Sequence, residues 1–131
     1  MEIKPEELAD TIMEDFMSIV RGISVEASNR MIDKVPVASG KLRASIRAAV
    51  NSEDISFGAD DTSGGVTKAG NEAAIMKAKA GDQINIVVGA PYGAAVEQGT
   101  DSRQPVGFIL TTGEEHGALL QYAASNKDRY K

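Results

Sequence analysis

The sequence predicts an α+β fold that forms a single domain over residues 1–131, with a long N-terminal helix, a small antiparallel sheet, short helices and a C-terminal helix. Apolar residues recur at steps of three and four through the first quarter of the chain, which indicates one long amphipathic helix. Two later segments alternate apolar and polar residues as strands do, with helical segments on both sides of them. Because strands and helices do not alternate as in βαβ units, the predicted class is α+β.

The predicted N-terminal helical region covers residues 1–34, and its first helical turn begins at Pro5. Proline suits the first helical turn, and the two glutamates that follow it complement the positive end of the helix dipole. From Pro5 to Lys34 the helix would be about 45 Å long, whereas a domain of this size has a radius of gyration of about 14 Å. The helix should therefore project beyond the body or break, and Gly22 is the predicted weak point.

One face of this helix carries a long apolar stripe, which we interpret as core packing. Its members are Leu8, Ile12, Phe16, Ile19, Val20, Ile23, Ala27 and Met31. Because the stripe is longer than one small core can cover, part of it should contact another subunit. We expect Phe16 and Ile23 to belong to that contact.

The first predicted strand lies beyond a turn that ends the long helix. Pro36 ends the helix, because the residue before a proline is pushed out of the α-helical region. A turn with Ser39 near its cap should follow, and then a strand from about Ser45 to Phe57. The apolar residues between 42 and 50 also fit a helical period, so a helix there stays open as an alternative.

The middle of the chain is predicted to contain a flexible loop, two short helices and the second strand. Residues 58–70 are dense in glycine, aspartate, serine and threonine, which is typical of a mobile loop. A short helix is expected over residues 71–80, and a strand with alternating isoleucine and valine over residues 84–88. Another short helix should run over residues 91–97 and be closed by Gly99.

The last quarter of the chain is predicted to end in a helix. Residues 105–110 are expected to be a short strand or an extended link. Thr112 and Glu115 have the spacing of a capping box, which predicts that a helix begins there and continues to about Ser125. Residues 126–131 are predicted to be a frayed tail.

Composition and charge limit the classes of function. The chain has a net charge of −5 and no cysteine, which excludes disulfides and thiolate chemistry and disfavours a general DNA-binding surface. No run of apolar residues is long enough to span a membrane, and the acidic first residues are not those of a signal peptide. Charge is arranged in blocks: −4 over residues 1–34, +3 over residues 35–50 and −4 over residues 51–66. Such blocks would allow copies of the chain to attract each other head to tail, although scatter over a solvated surface is an equal alternative.

Candidate catalytic and metal-binding residues do not match the motif of an active site or a metal site. His116 is the only histidine and cannot supply the three or four ligands of a metal site, so we interpret it as part of a solvated helix face. Asp60 and Asp61 lack the spaced carboxylates of a calcium loop. Neither a GxSxG elbow nor a phosphate-binding glycine motif is present. We therefore expect no enzyme activity, no cofactor and no metal.

Two segments carry a resemblance to a known family. They are Val35–Ile46, which reads VPVASGKLRASI, and Ala90–Thr100, which reads APYGAAVEQGT. Together, and in this order, they resemble the signature of a family of tailed-bacteriophage morphogenesis proteins, with a VPVDTGRLRxSI-like stretch followed by a PYAxYVExGT-like stretch. The chain departs from that pattern at residues 38, 39 and 41, at Gln98, and at residues 106–107.

The resemblance implies a structural virion protein, made in the host cytoplasm, at the neck or tail-completion position where the head connector joins the tail. It implies a homo-oligomeric ring with sixfold or twelvefold symmetry, partners on the connector or portal side and on the tail side, passive contact with DNA in the lumen and no membrane. A tail terminator or other minor tail subunit is the alternative within the same class. A small ligand-binding or regulatory domain of non-viral origin is the alternative from another class.

Charged residues in the two segments are the remaining interface candidates. Lys41, Arg43 and Arg47 form a basic segment without a nearby acid in the sequence, and we expect them to share one strand face that meets an acidic surface. Glu97 and Arg43 are interpreted as a pair that ties the two segments together, with a contact between subunits as the alternative.

Overall fold

The computed structural model describes Glu2 and residues 4–131. Its elements form an α+β fold, which confirms the predicted class, and none of the helices in this part of the chain is long and apolar enough to cross a membrane. The elements are, in chain order, α1 (Pro5–Lys34), α2 (Lys41–Ala44), β1 (Ile46–Val50), α3 (Gly65–Ile75), β2 (Ile84–Val88), α4 (Gly93–Gln98), α5 (Phe108–Glu114), α6 (His116–Ser125) and a closing 3-10 helix (Lys127–Tyr130).

The two strands pair in antiparallel register, from Ile46 opposite Val88 to Val50 opposite Ile84. The predicted strand from Ser45 to Phe57 is too long, because β1 ends at Val50. Asn51, at φ 58°, turns the chain away from the sheet. Its side chain holds the turn by donating to the Asp82 carboxylate at 2.9 Å. The segment before β1 is also not extended, since Lys41–Ala44 forms the short helix α2.

The helix after the loop begins earlier than the sequence predicts. Residues 65–70 form the first turns of α3 and are not part of a 58–70 loop, and α3 ends at Ile75, so the predicted helix over residues 71–80 is displaced. The cause is Asp61, whose carboxylate accepts hydrogen bonds from the backbone N–H of Thr67 at 2.8 Å and from its hydroxyl at 2.7 Å. A carboxylate that satisfies free N–H groups in the first turn stabilises a helix start that glycine-rich sequence alone does not predict.

Helix α1 is continuous through Gly22, so of the two predicted alternatives, projection or a break, the break does not occur. Gly22 is buried because another part of the chain approaches it closely. A Cβ atom at this position would lie 3.0 Å from a ring carbon of Tyr130 and 3.1 Å from the Cβ of Ala123 in α6. The glycine therefore allows α6 and the end of the chain to pack against the backbone of α1.

The chain end is ordered, so the prediction of a frayed tail over residues 126–131 is wrong. Tyr130 is fully buried, and its hydroxyl lies 2.6 Å from that of Tyr122. Burial, helped by this hydrogen bond, raises the pKa of Tyr130 above its ordinary value, so its hydroxyl stays neutral. Arg21 of α1 donates to the Tyr130 carbonyl at 3.0 Å and, with two further N–H groups, to the Ala78 carbonyl after α3.

The predicted capping box is also wrong. Residues 105–107 form neither a helix nor a strand, and Gly107 lies in the left-handed region at φ 65°. Helix α5 begins at Phe108, and Thr112 lies inside it, where its hydroxyl donates to the Phe108 carbonyl at 2.7 Å. Glu115 stands at the junction of α5 and α6, and its carboxylate pairs with Arg30 and Lys34 of α1. Glu115 therefore joins the C-terminal helices to α1 and does not cap its own helix.

The core lies between the C-terminal half of α1, the sheet and the later helices. It contains two clusters of buried side chains, and the partly buried Ile86 packs against both. The first cluster is Met31, Ile32, Val35, Leu42, Ile46, Ala90, Val96 and Phe108. The second cluster is Val25, Ala48, Ile75 and Tyr130.

Candidate assembly surface

The two signature segments lie side by side. The first covers the end of α1, α2 and the start of β1, and the second covers the turn after β2 and α4. Leu42 and Ile46 from the first segment share a buried cluster with Ala90 and Val96 from the second. The two signature segments, which are separate in the sequence, therefore pack against each other in the fold.

The predicted pair of Arg43 and Glu97 is wrong, because each side chain binds elsewhere. Glu97 accepts hydrogen bonds from the backbone N–H groups of Ile109 at 2.7 Å and Leu110 at 3.1 Å, so it caps the start of α5. Arg43 donates to the carbonyl of Thr62 at 2.8 Å and thereby holds the loop before α3. Glu97 lies 12 residues before Ile109, whose N–H it caps. This separation is longer than the spacing of local capping motifs, so the sequence alone does not predict the cap.

The basic segment does not form one row of cations. Lys41 and Arg43 stand on α2, and Arg47 stands on β1, so the expectation of a shared strand face is wrong. Arg47 donates to the Ala44 carbonyl at 2.7 Å, and its guanidinium lies 3.8 Å from the Asp54 carboxylate. Hydrogen bonds from Ser56, together with Arg47, lower the pKa of Asp54. Of these three cations, only Lys41 is exposed, and the other two are partly buried.

A groove of about 200 Å³ separates α2 from α4, and we call it the α2–α4 groove. It is lined by Pro36, Ala38, Ser39, Gly40, Lys41, Leu42, Tyr92, Val96 and Arg103. Both signature segments contribute to it. Tyr92 is 42% exposed, and its ring meets that of Phe57 edge-on with centroids 5.7 Å apart. Gly40 in the groove lining has φ +83°, and a Cβ at this position would lie 2.4 Å from the Asp61 backbone.

A second apolar surface lies on α1. Leu8, Ile12, Met13 and Phe16 are between 47% and 60% exposed, and we call these four residues the exposed stripe. The prediction that this part of the stripe packs in the core is therefore wrong, although the expectation that one core could not cover its full length agrees with the structure. Ile23, further along, is half-buried. At about 100° per residue, the stripe lies on the opposite side of α1 from the buried Val25 and Ile32.

The polar groups around a second cavity, of about 270 Å³ between β1 and α3, hold the fold together. The buried Asn71 accepts from the backbone N–H of Ala48 at 3.0 Å and donates to the carbonyl of Ile46 at 2.8 Å. Burial alone would raise the pKa of Asp61, but hydrogen bonds from Thr67, Gly64 and Ser63 outweigh it and lower that pKa.

Across Glu2 and residues 4–131, no group of three or more histidine, cysteine or acidic side chains is placed to hold a metal ion. His116 is exposed at the start of α6, as predicted.

Comparisons of the chain with protein-family models, with curated proteins and with solved structures found no match.

Proposed function

We propose that the protein is a structural virion subunit of a tailed phage that assembles into a ring at the head–tail junction, where it joins the connector to the tail. The observation that carries this proposal is the exposed stripe. Four large apolar side chains on one face of a projecting helix are a surface that a second protein would be expected to cover. The resemblance of the two signature segments supplies the class of particle.

The way in which the polar side chains are used supports a structural role. Asn71, Asp61 and Glu97 each direct their hydrogen bonds to backbone groups of the same chain. These groups hold β1, α3 and α5 in place. The features that remain exposed are apolar surface and charge, which serve protein association.

The proposed ring has sixfold or twelvefold symmetry, with a connector or portal ring on one side and a tail ring on the other. The net charge of −5 suits passage of DNA without retention, because an acidic lumen repels phosphates. Assembled copies in the virion would contact DNA only passively.

Deletion of the gene from the phage or prophage that carries it tests the proposal. We expect filled heads and complete tails that fail to join, as seen by electron microscopy, and joining should be restored when purified protein is added to the lysate. Tails of uncontrolled length would show instead a terminator that caps tail polymerisation. Normal virions in normal yield would contradict a structural role and favour the regulatory alternative.

A further inference from the structure

Two uncovered surfaces of the molecule have complementary shape and charge: the exposed stripe on α1 and the α2–α4 groove. We propose that the exposed stripe of one copy docks into the α2–α4 groove of a second copy, with Phe16 as the anchor. This inference rests on the proposed self-assembly and names the two surfaces that form the contact between subunits.

The N-terminal part of α1 is an apolar stripe on a strongly acidic segment. Residues 1–16 contain six acids and one lysine, a net charge of −5. Glu6, Glu7, Asp10 and Glu14 are exposed, and within Glu2 and residues 4–131 none of these four forms an ion pair. Asp15 is the exception, because it pairs with Lys127 and Lys131. The other acids leave a net negative charge on the helix that carries the stripe.

The α2–α4 groove has the opposite character. Its lining includes the cations Lys41 and Arg103 and no carboxylate. Neither cation forms an ion pair with any described residue, and both are exposed at the rim. Opposite net charges on two surfaces favour encounter and orientation over distances of about 8–10 Å at ordinary salt, a reach comparable to the width of a helix.

The groove also has the right size for one aromatic anchor. Its volume is about 200 Å³, and apolar walls are supplied by Leu42, Tyr92 and Val96. A cavity of about 150 Å³ holds a benzene molecule, which has the same ring as phenylalanine. Phe16 is the largest side chain of the stripe and is 58% exposed. Aromatic side chains that fill pockets at the centre of an interface supply much of the binding energy.

The occupant must come from a second copy. Phe16 lies on a helix that is continuous to Lys34, and the rise from Phe16 to Lys34 is about 27 Å along its axis. The groove lining begins only beyond this helix end, at Pro36. A rigid helix cannot bring its own stripe to its own groove. Pairing of stripe with stripe would place two segments of net charge −5 against each other, whereas stripe-to-groove contact brings opposite charges together. A contact between two different surfaces repeats head to tail and can close a ring.

A mixing experiment tests this proposal. One variant, Phe16→Asp, has a defective stripe and an intact groove, and the other, Lys41→Glu/Arg103→Glu, has the reverse. Sedimentation of the wild-type chain at millimolar concentration should show self-association that weakens as salt rises. Each variant alone should associate about 30-fold more weakly or worse, the loss typical of a central anchor. Their mixture should form an equimolar dimer and nothing larger, because one intact stripe and one intact groove remain.

Matched controls separate the contact from general effects of charge and folding. Thr11→Asp places the same acid on exposed α1 away from the stripe, and Lys77→Glu reverses an exposed lysine away from the groove. Both should associate like the wild-type chain. Circular dichroism should show that every variant is folded.

Three results would overturn the proposal: a wild-type chain that remains monomeric, a groove variant that still self-associates like the wild type, or a mixture without the equimolar dimer. The second of these would indicate stripe-to-stripe pairing. These three results concern the purified chain, whereas gene deletion is scored on virions. Failure of the stripe-to-groove contact and failure of the head–tail role are therefore distinguishable. Normal virions after gene deletion would remove the phage role even if the dimer forms.

Discussion

The two halves of α1 differ in what surrounds them. In the half before Phe16, all described positions from 4 to 14 are exposed, including the apolar ones. In the half from Met17 to Lys34, one side of the helix is buried against α3, α5, α6 and the closing 3-10 helix. One continuous helix thus serves as a core element at one end and as a free surface at the other.

Apolar character alone does not decide which face of α1 is buried. The buried face includes three small residues, Ser18, Gly22 and Ser28, beside larger apolar ones. On the other face, Ile19, Val20 and Ile23 are only partly buried, and the exposed stripe is exposed. The two serine hydroxyls donate to carbonyls three residues earlier in the same helix, so their burial leaves no unsatisfied group. Small residues fit there because other elements approach the helix closely, and the larger side chains of the exposed stripe remain available to a partner.

The largest effect should come from removing the anchor of the embedded half. Tyr130→Ala would leave a cavity against Gly22, and we expect the free energy of unfolding to fall by about 3–5 kcal/mol. Urea denaturation measures this loss. Tyr92→Ala, at a tyrosine that is 42% exposed, should cost far less. Equal losses for the two variants would contradict the assignment of Tyr130 to the core.

Overfilling the close approach at Gly22 should have the next largest effect. Gly22→Leu would push against Tyr130 and Ala123, and we expect a loss of stability of about 1–3 kcal/mol despite the better helix propensity of leucine. Gly70→Leu in α3 is the matched control, because a Cβ there meets nothing within 4 Å. A Gly22→Leu variant that is more stable than the wild type would show that Tyr130 and Ala123 do not pack as closely against Gly22 as in the structure.

The ion pairs of the embedded half should make stability depend on pH. The hydrogen bond from Lys34, together with Arg30, lowers the pKa of Glu115 below the ordinary value of 4.5 for a glutamate. The contribution of Glu115 is therefore present above pH 4.5 and is lost as pH falls through the lower pKa of the folded state. Glu115→Gln should be less stable than the wild type at neutral pH, and the difference should close in acid. Asp10→Asn, in the projecting half, removes no ion pair with a described residue and should match the wild type at neutral pH. A constant gap for Glu115→Gln would contradict the account.

The smallest effect on the monomer is expected in the projecting half. Phe16→Asp should change the free energy of unfolding by about 0.5 kcal/mol or less in dilute solution, because the side chain is 58% exposed. The same change at the buried Val25 should unfold the chain or destabilise it severely. Comparable losses at the two positions in thermal denaturation would show that Phe16 belongs to the core of the monomer.

The parts of the fold that follow from local pattern could be predicted from the sequence. The extent of α1, the second strand and the α+β class depend on periodicity, and the structure has them as expected. The parts that depend on distant contacts could not. Tyr130 is ordered because Gly22 leaves room for it, and α3 starts early because Asp61 caps it.

For the exposed stripe and the α2–α4 groove as well, features set by local sequence could be predicted and features set by distant contacts could not. The sequence placed Phe16 on an apolar stripe, and the resemblance marked the two segments that line the α2–α4 groove. Which side of α1 is buried depends on α6, which lies about 100 residues after Met17, the first residue of the embedded half, so no local sequence pattern predicts it. The pair of Arg43 and Glu97 was inferred from the two signatures, but α5 and the Thr62 carbonyl compete for those side chains.

Hydrogen exchange along α1 at two protein concentrations tests most directly the claim that the projecting half is a contact for another copy. A helical segment of about 12 residues with no buried side chain is marginal in water, so the amides within residues 5–16 (Pro5 has none) should exchange fast in dilute solution while those of residues 17–34 are protected. At high concentration the protection of residues 5–16 should rise and that of residues 17–34 should stay the same. Equal protection of both halves in dilute solution, or protection of residues 5–16 that does not change with concentration, would contradict the account.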